Sequence, residues 1–414
     1  MCKRSGAHVV VACGPSGYGQ ELPLRRTDSL MPLPFRRLRS PTYLLLAFLA
    51  VLTVSAGANA STQGQGGRAV HVHLENGAPG AARLDDEGHP IDAHDGQIQR
   101  FGDRYYLYGT RYGCGFRWND KKAPFCGFVV YTSSDLAHWH AEGPLFDATT
   151  PYWQVRCDGS TYGCFRPHVV FNARTQRYVL WINSYDVAVG YHVFTATTPT
   201  GPFVEAPLPK LAINRGQPPG LNHGDHDVFV DHDGTAYIAY TDWRRKGDIV
   251  IERLDDRFLS GTGHYARVGL KATEAPSMFR RGDTYYLTFS DPNCGYCTTG
   301  TSYLHATSPL GPWTGKPASG EMEEQHRGLK ISDTSCGGQP ADVATLPGSH
   351  GPVFLYQSDR WDNGNPSETH ATHYWEPLRF DARGIIEPLS CANAFDIDMA
   401  GNTSNTRAKV TQKS

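Results

Sequence analysis

The sequence predicts an all-β chain folded as a five-bladed β-propeller, and three observations carry that expectation. One short phrase, a turn followed by β-branched and aromatic residues, recurs five times. Successive copies lie roughly 50 to 75 residues apart, the spacing of a four-stranded blade or slightly beyond it. No segment carries a sustained helical period, while 44 Gly and 28 Pro supply turns. A β-sandwich with added hairpins is the alternative, but a sandwich does not need the same phrase five times.

In chain order, the first element is a leader over residues 1–60. After Met31 come Arg36, Arg37 and Arg39, then the apolar run Tyr43 to Val54, then Ala58-Asn59-Ala60. This is the pattern of a secretory signal peptide starting at Met31 and cleaved after Ala60. Residues 61–84 read as an N-terminal linker, 85–400 as one propeller domain and 401–414 as a flexible tail. The expected product is a secreted monomer with no membrane association after cleavage. Net charge is −2, with 39% hydrophobic and 19% charged residues, which excludes a disordered chain and gives no electrostatic footprint for nucleic acid.

Eight cysteines follow the leader: Cys114, Cys126, Cys157, Cys164, Cys294, Cys297, Cys336 and Cys391. In an oxidising compartment they favour disulfides. Cys114–Cys126 and Cys157–Cys164 suit local staples, although on the order of 100 pairings are open. Cys294 and Cys297 lack the second ligand pair that a zinc site needs.

The blades come next. The phrase reads GDRYYLYGT at 102–110, TQRYVLWIN at 175–183, DGTAYIAYTD at 233–242, RGDTYYLTFS at 281–290 and, more loosely, HGPVFLYQSD at 350–359. An apolar run precedes each, such as PHVVFN, DVFVD and PSMFR. Just before three of these runs stand Asp95, Asp225 and Glu274. A propeller brings the starts of its inner strands together at one end. Converging carboxylates raise one another's pKa and are tolerated mainly at functional sites. Two carboxylates flanking a bond are what glycoside hydrolysis requires: a protonated one for the leaving oxygen and an ionised one to attack or to activate water. Asp227, two residues on and on the same strand face, rivals Asp225.

These residues resemble glycoside hydrolase family 43. Asp95 through Tyr108 matches its first-blade pattern, Asp225, Phe229 and the DHDG turn its middle pattern, and Glu274-Ala275-Pro276 its E-[GA]-P pattern. The resemblance implies a five-bladed propeller that inverts configuration, with Asp95 as general base, Asp225 as pKa modulator and orienter, and Glu274 as general acid. Residues 336–381 are similar to the exo-β-1,3-galactanase subfamily through Gln339, Ser358-Asp359-Arg360-Trp361 and the segment Tyr374 to Leu378. That similarity implies an oligo- or polysaccharide substrate held by Gln339, Arg360 and Trp361. The chain departs from that subfamily in carrying Phe165 where a Glu precedes Arg-Pro, and in keeping Asp95. The family implies no required cofactor, although a structural Ca²⁺ in the tunnel is compatible with it. An α-L-arabinofuranosidase or β-xylosidase is the alternative within the class, and a non-catalytic carbohydrate-binding propeller the alternative outside it.

Trp118, Trp153, Trp243 and Trp361 fall outside mid-strand runs and suit either sugar stacking or packing. Trp181, inside YVLWIN, reads as core. His94, His226 and His373 lie near the site segments and suit hydrogen bonding more than metal binding.

Overall fold

The computed structural model describes residues 69–401 apart from 78–79, 118–119, 121, 159–162, 185–189, 213–222, 292–298, 316–327 and 362–367. The leader, Trp118, Cys294 and Cys297 lie outside the described residues.

Five antiparallel sheets form a ring, a five-bladed β-propeller. The first blade runs His94–Phe101, Arg104–Thr110, Phe128–Ser133 and His140–Pro144, and the second Cys164–Asn172, Arg177–Ser184, Gly190–Ala196 and Val204–Glu205. The third runs His223–Val230, Ala236–Asp242, Asp248–Leu254 and Gly261–Arg267, and the fourth Glu274–Arg281, Thr284–Asp291, Gly300–Ala306 and Leu329–Ser332. The fifth contains Gln339–Gly348, Gly351–Arg360 and Thr372–Pro377. The first strand of each blade packs on the first strand of the next, and the fifth on the first, so the inner strands enclose an axis.

The repeated phrase follows from this ring. Every blade lies between two others, so its middle strands are covered on both faces and need apolar residues at successive positions. Alternate side chains point to opposite neighbours. Leu107 joins a core shared with Leu346, Leu355 and Trp375 of the fifth blade, while Tyr106 and Tyr108 join one with Leu180 and Phe194 of the second. Likewise Trp181 packs toward Ile238 and Tyr240 of the third blade, the core role its sequence context suggests.

The ring begins earlier than expected. Within the segment read as a linker, Val70–Glu75 pairs with Ala394–Met399, and both extend the fifth sheet. Its alternation puts Val72 and Leu74 inward and His71 and His73 outward, a strand pattern too short to stand out. Beyond it, Asn76 imitates a strand residue: its Nδ2 donates to Trp375 O at 2.8 Å and its Oδ1 accepts from Trp375 N at 2.9 Å.

Each inner strand also loses register near its start. The shifts fall between His94 and Gln97, Phe165 and His168, His223 and His226, Glu274 and Ser277, and Pro340 and Asp342. A bulge of this kind bends the strand and re-aims a side chain. Asp95, Arg166 and Ala275 adopt left-handed backbone there, with φ of 51°, 56° and 49°. For residues with a Cβ that conformation costs about 1–2 kcal/mol each, so something must hold it. Gly96 is required by the same bulge, since a Cβ there would lie 2.1 Å from Tyr108 O.

Candidate active site

At or beside the five bulges stands one polar side chain per blade: Asp95, Arg166, Asp225, Glu274 and Gln339. Hydrogen bonds join them from blade to blade. Arg166 N donates to Asp95 Oδ1 at 3.3 Å, and Arg166 Nη2 donates to Asp225 Oδ2 at 2.9 Å. Ala275 N donates to the same Asp225 oxygen at 3.1 Å. Gln339 Nε2 donates to Glu274 Oε2 at 3.1 Å. Asp95 N donates to Asp359 Oδ2 of the fifth blade at 2.7 Å and closes the circuit. These bonds hold the left-handed residues in place. The three acids and the glutamine read from the sequence thus meet at one place.

Asp95 is buried and accepts from Thr110 Oγ1 and from the Tyr112 hydroxyl, each at 2.6 Å. Burial pushes its pKa up to about 6, against the Arg166 charge and these hydrogen bonds. Burial and then the Asp225 carboxylate push Glu274 well above the usual carboxyl range, against Arg166 and Gln339. Glu274 keeps part of its surface open, whereas Asp95 and Asp225 are 4% and 7% exposed. Burial works against the charge on Arg166, but Asp225 and Asp95 outweigh it and push its pKa up. One end of the ring therefore carries an open, proton-holding carboxyl and a buried carboxylate of nearly neutral pKa, with a cation between the buried acids.

Arg166 was not among the residues singled out from the sequence, where Arg-Pro read only as a subfamily marker. Its guanidinium also reaches Pro340 O at 3.1 Å and Ala341 O at 3.3 Å, crossing from the second blade to the fifth. A signal existed: Arg166-Pro167 precedes its apolar run as Ala275-Pro276 does in the fourth blade.

Asp227 lies apart from the bonds that join Asp225 to Arg166 and Ala275. It belongs to a second circuit two residues deeper. Gln97 Nε2 donates to Val169 O at 2.8 Å, His168 Nδ1 lies 3.0 Å from Asp227 Oδ1, Met278 N donates to Asp227 Oδ2 at 2.6 Å, and Ser277 Oγ donates to Asp342 Oδ1 at 2.8 Å. Gln97 Oε1 and His168 Nε2 are buried there without a hydrogen-bond partner among the described residues. This oxygen-rich set could hold a hard cation or ordered water.

Trp361 is buried and reaches the acids through Gln339, donating from Nε1 to Gln339 Oε1 at 3.3 Å. It shares an apolar wall with Tyr112, Phe116, Ala123, Phe165 and Ala371. The disulfide Cys114–Cys126 ties the loop bearing Phe116, and Cys157–Cys164 ends beside Phe165. A third bridge, Cys336–Cys391, was not foreseen as a pair. Arg360 donates from Nε to Cys336 O at 3.0 Å and lies over the Tyr374 ring, both within its own blade's surroundings. Trp153 packs on Phe146 and Phe194 in the core between the first two blades, away from the acids. His226 packs on His168 and Tyr191.

Residues 89–374 match the glycosyl hydrolases family 43. A β-D-galactofuranosidase of Aspergillus niger is 25% identical over 232 residues, 54% of this chain and 63% of the relative. A non-reducing end α-L-arabinofuranosidase of Bacteroides ovatus is 25% identical over 230 residues, 54% of this chain and 39% of the relative. The alignments thus span less than two thirds of either relative. An exo-β-1,3-galactanase variant of Phanerochaete chrysosporium, solved with β-1,3-galactotriose, superimposes with a TM-score of 0.58 at 25% identity, covering 78% of this chain and 67% of that one.

Proposed function

The chain belongs to the glycosyl hydrolases family 43, and on that premise we propose that it is a glycosidase, a secreted, inverting exo-β-1,3-galactanase acting on polysaccharide side chains. The observation that carries the mechanism is the divergence of two carboxyls in one mouth: Glu274 open and proton-holding, Asp95 buried and able to ionise near neutrality. Glu274 gives its proton to the glycosidic oxygen as the C–O bond breaks. Asp95 takes a proton from the water whose oxygen bonds to the anomeric carbon from the opposite face. Asp225, beside Glu274 and tied to Arg166, raises the acid's pKa and so keeps it protonated between turnovers. Galactan as substrate rests on Gln339, the residue shared with the galactanase subfamily, being bonded to Glu274, and on the P. chrysosporium likeness. The three disulfides among the described residues accord with export. A calcium ion, if bound, would sit in the deeper circuit of Gln97, His168, Asp227, Ser277 and Asp342, with a structural role.

Incubation with β-1,3-galactan, arabinan and xylan tests the substrate. Free galactose is expected. Release of arabinose instead would favour the arabinofuranosidase reading, which the B. ovatus relative supports. Proton NMR of the first product anomer should show inversion, and retention would contradict the roles given to Asp95 and Glu274.

Asp95→Asn should lower kcat by about 100-fold or more whatever the leaving group, because water activation is always needed. The wild-type kcat/KM should trace a bell against pH. Its acid limb falls near pH 6 as Asp95 takes up a proton, and its alkaline limb appears as Glu274 loses one. A profile flat between about pH 5 and 7 would remove Asp95 as the base.

A further inference from the structure

Behind Asp95 lies a group of buried residues that the mechanism does not use. Asp359 is the penultimate residue of the Gly351–Arg360 strand of the fifth blade and meets the first blade across the seam of the ring. Its Oδ2 accepts from Asp95 N at 2.7 Å, and its Oδ1 lies 2.9 Å from His94 Nδ1. His94 stacks between two rings: His373 at 4.6 Å and 13°, and Tyr112 at 5.6 Å and 11°. Tyr112 in turn donates its hydroxyl to Asp95 Oδ2. Asp95 is therefore held at its backbone by Asp359 and at its carboxylate by Tyr112, besides Thr110 and Arg166, and His94 contacts both Asp359 and Tyr112.

Burial opposes a charge on His94, but the hydrogen bond and charge of Asp359 outweigh it and raise its pKa. Asp359 is lowered in return, its burial outweighed by His94. The two form a buried, hydrogen-bonded pair. Burial and then the His94 charge push His373 down to about 4, so it stays neutral.

Asp359, His94 and His373 could also be read as metal ligands, since an atom from each lies within 4.8 Å of the others. Hydrogen bonding accounts for them better. His94 Nδ1 and Asp359 Oδ1 face each other, Asp359 Oδ2 is taken by Asp95 N, and His373 Nε2 is taken by Ala93 O at 2.8 Å.

We propose that Asp359, paired with His94, is a positioning residue for the general base: by accepting from Asp95 N it holds Asp95 in its left-handed bulge and so sets where the carboxylate meets water. Left alone, the Asp95 backbone would relax toward an ordinary strand and swing the carboxylate. Displacement of a reacting group by about 1 Å costs on the order of 100-fold in rate. This inference rests on Asp95 being the base.

The test is a double-mutant cycle. Asp359→Ala should lower kcat about 10- to 100-fold with KM little changed, equally for good and poor leaving groups, because the base is needed for both. Asp359→Asn keeps an acceptor for Asp95 N and should recover most of that loss. In an Asp95→Asn background, Asp359→Ala should cost little more, since the group it positions is gone. Should the Ala variant fail to fold, Asp359→Leu fills the volume without an acceptor and carries the same expectation. A further loss in the Asp95→Asn background equal to that in wild type would overturn the proposal, as would a loss confined to poor leaving groups. A wild-type rate that falls on chelation and returns with zinc would overturn it too, because Asp359 would then be a ligand. If Asp95→Asn is itself fully active, the base assignment fails instead, and the two failures are separate.

Discussion

Replacing Glu274 with Gln should lower kcat on glycosidic bonds with poor leaving groups by about 100-fold or more, while activated aryl glycosides should keep most of their rate. The substitution keeps shape and the capacity to bond Gln339 but removes the carboxyl proton that Glu274 would give a departing oxygen. A phenolate of low basicity leaves without that proton, so the loss must scale with leaving-group basicity. The same variant should melt at a higher temperature than the wild type at neutral pH. Burial and Asp225 raise Glu274 in the fold, so the folded protein holds a proton that the unfolded chain has lost. For such a group stability is greatest below the unfolded pKa and declines as pH climbs through the folded one. Gln has no such decline, and the gain should vanish near about pH 4. Calorimetry at the two pH values and rates on a leaving-group series check both halves. Equal rate losses across the series would remove Glu274 as the acid.

Arg166→Met has the largest expected cost to stability. The side chain is 3% exposed and stands between two buried carboxyls. Removing one partner of a buried ion pair strands the other, at about 3–5 kcal/mol. Here Asp225 loses its cation, and Asp95 loses the charge that most opposes its raised pKa. The acid limb of the pH profile should therefore move to higher pH, with activity depressed throughout. Urea denaturation measures the first effect. A loss under about 1 kcal/mol, typical of an exposed pair, would mean that water reaches this guanidinium freely.

The ring was legible because its middle strands are covered twice. Tyr106 and Leu107 serve different neighbours, so hydrophobic residues run on without the alternation of a half-exposed sheet, and five such runs are hard to miss. The acids were legible as charges placed directly before apolar runs. Arg166 was not, because an arginine beside a proline reads as surface, and only pairing across strands shows the bulge that turns it inward. Asp359 and Cys391 act on partners hundreds and tens of residues away, and no local spacing encodes that distance. Val70–Glu75 was lost because two exposed histidines interrupt a six-residue strand.

The circuit of hydrogen bonds at the mouth has no loose end: each blade grips the one before it and the one after. Catalytic geometry and the cohesion of the ring are consequently one property. Any stress that pries two blades apart, whether heat, solvent or a clumsy substitution at a seam, silences the chemistry while the individual sheets still stand, and turnover becomes the first gauge to register that the circle has begun to open.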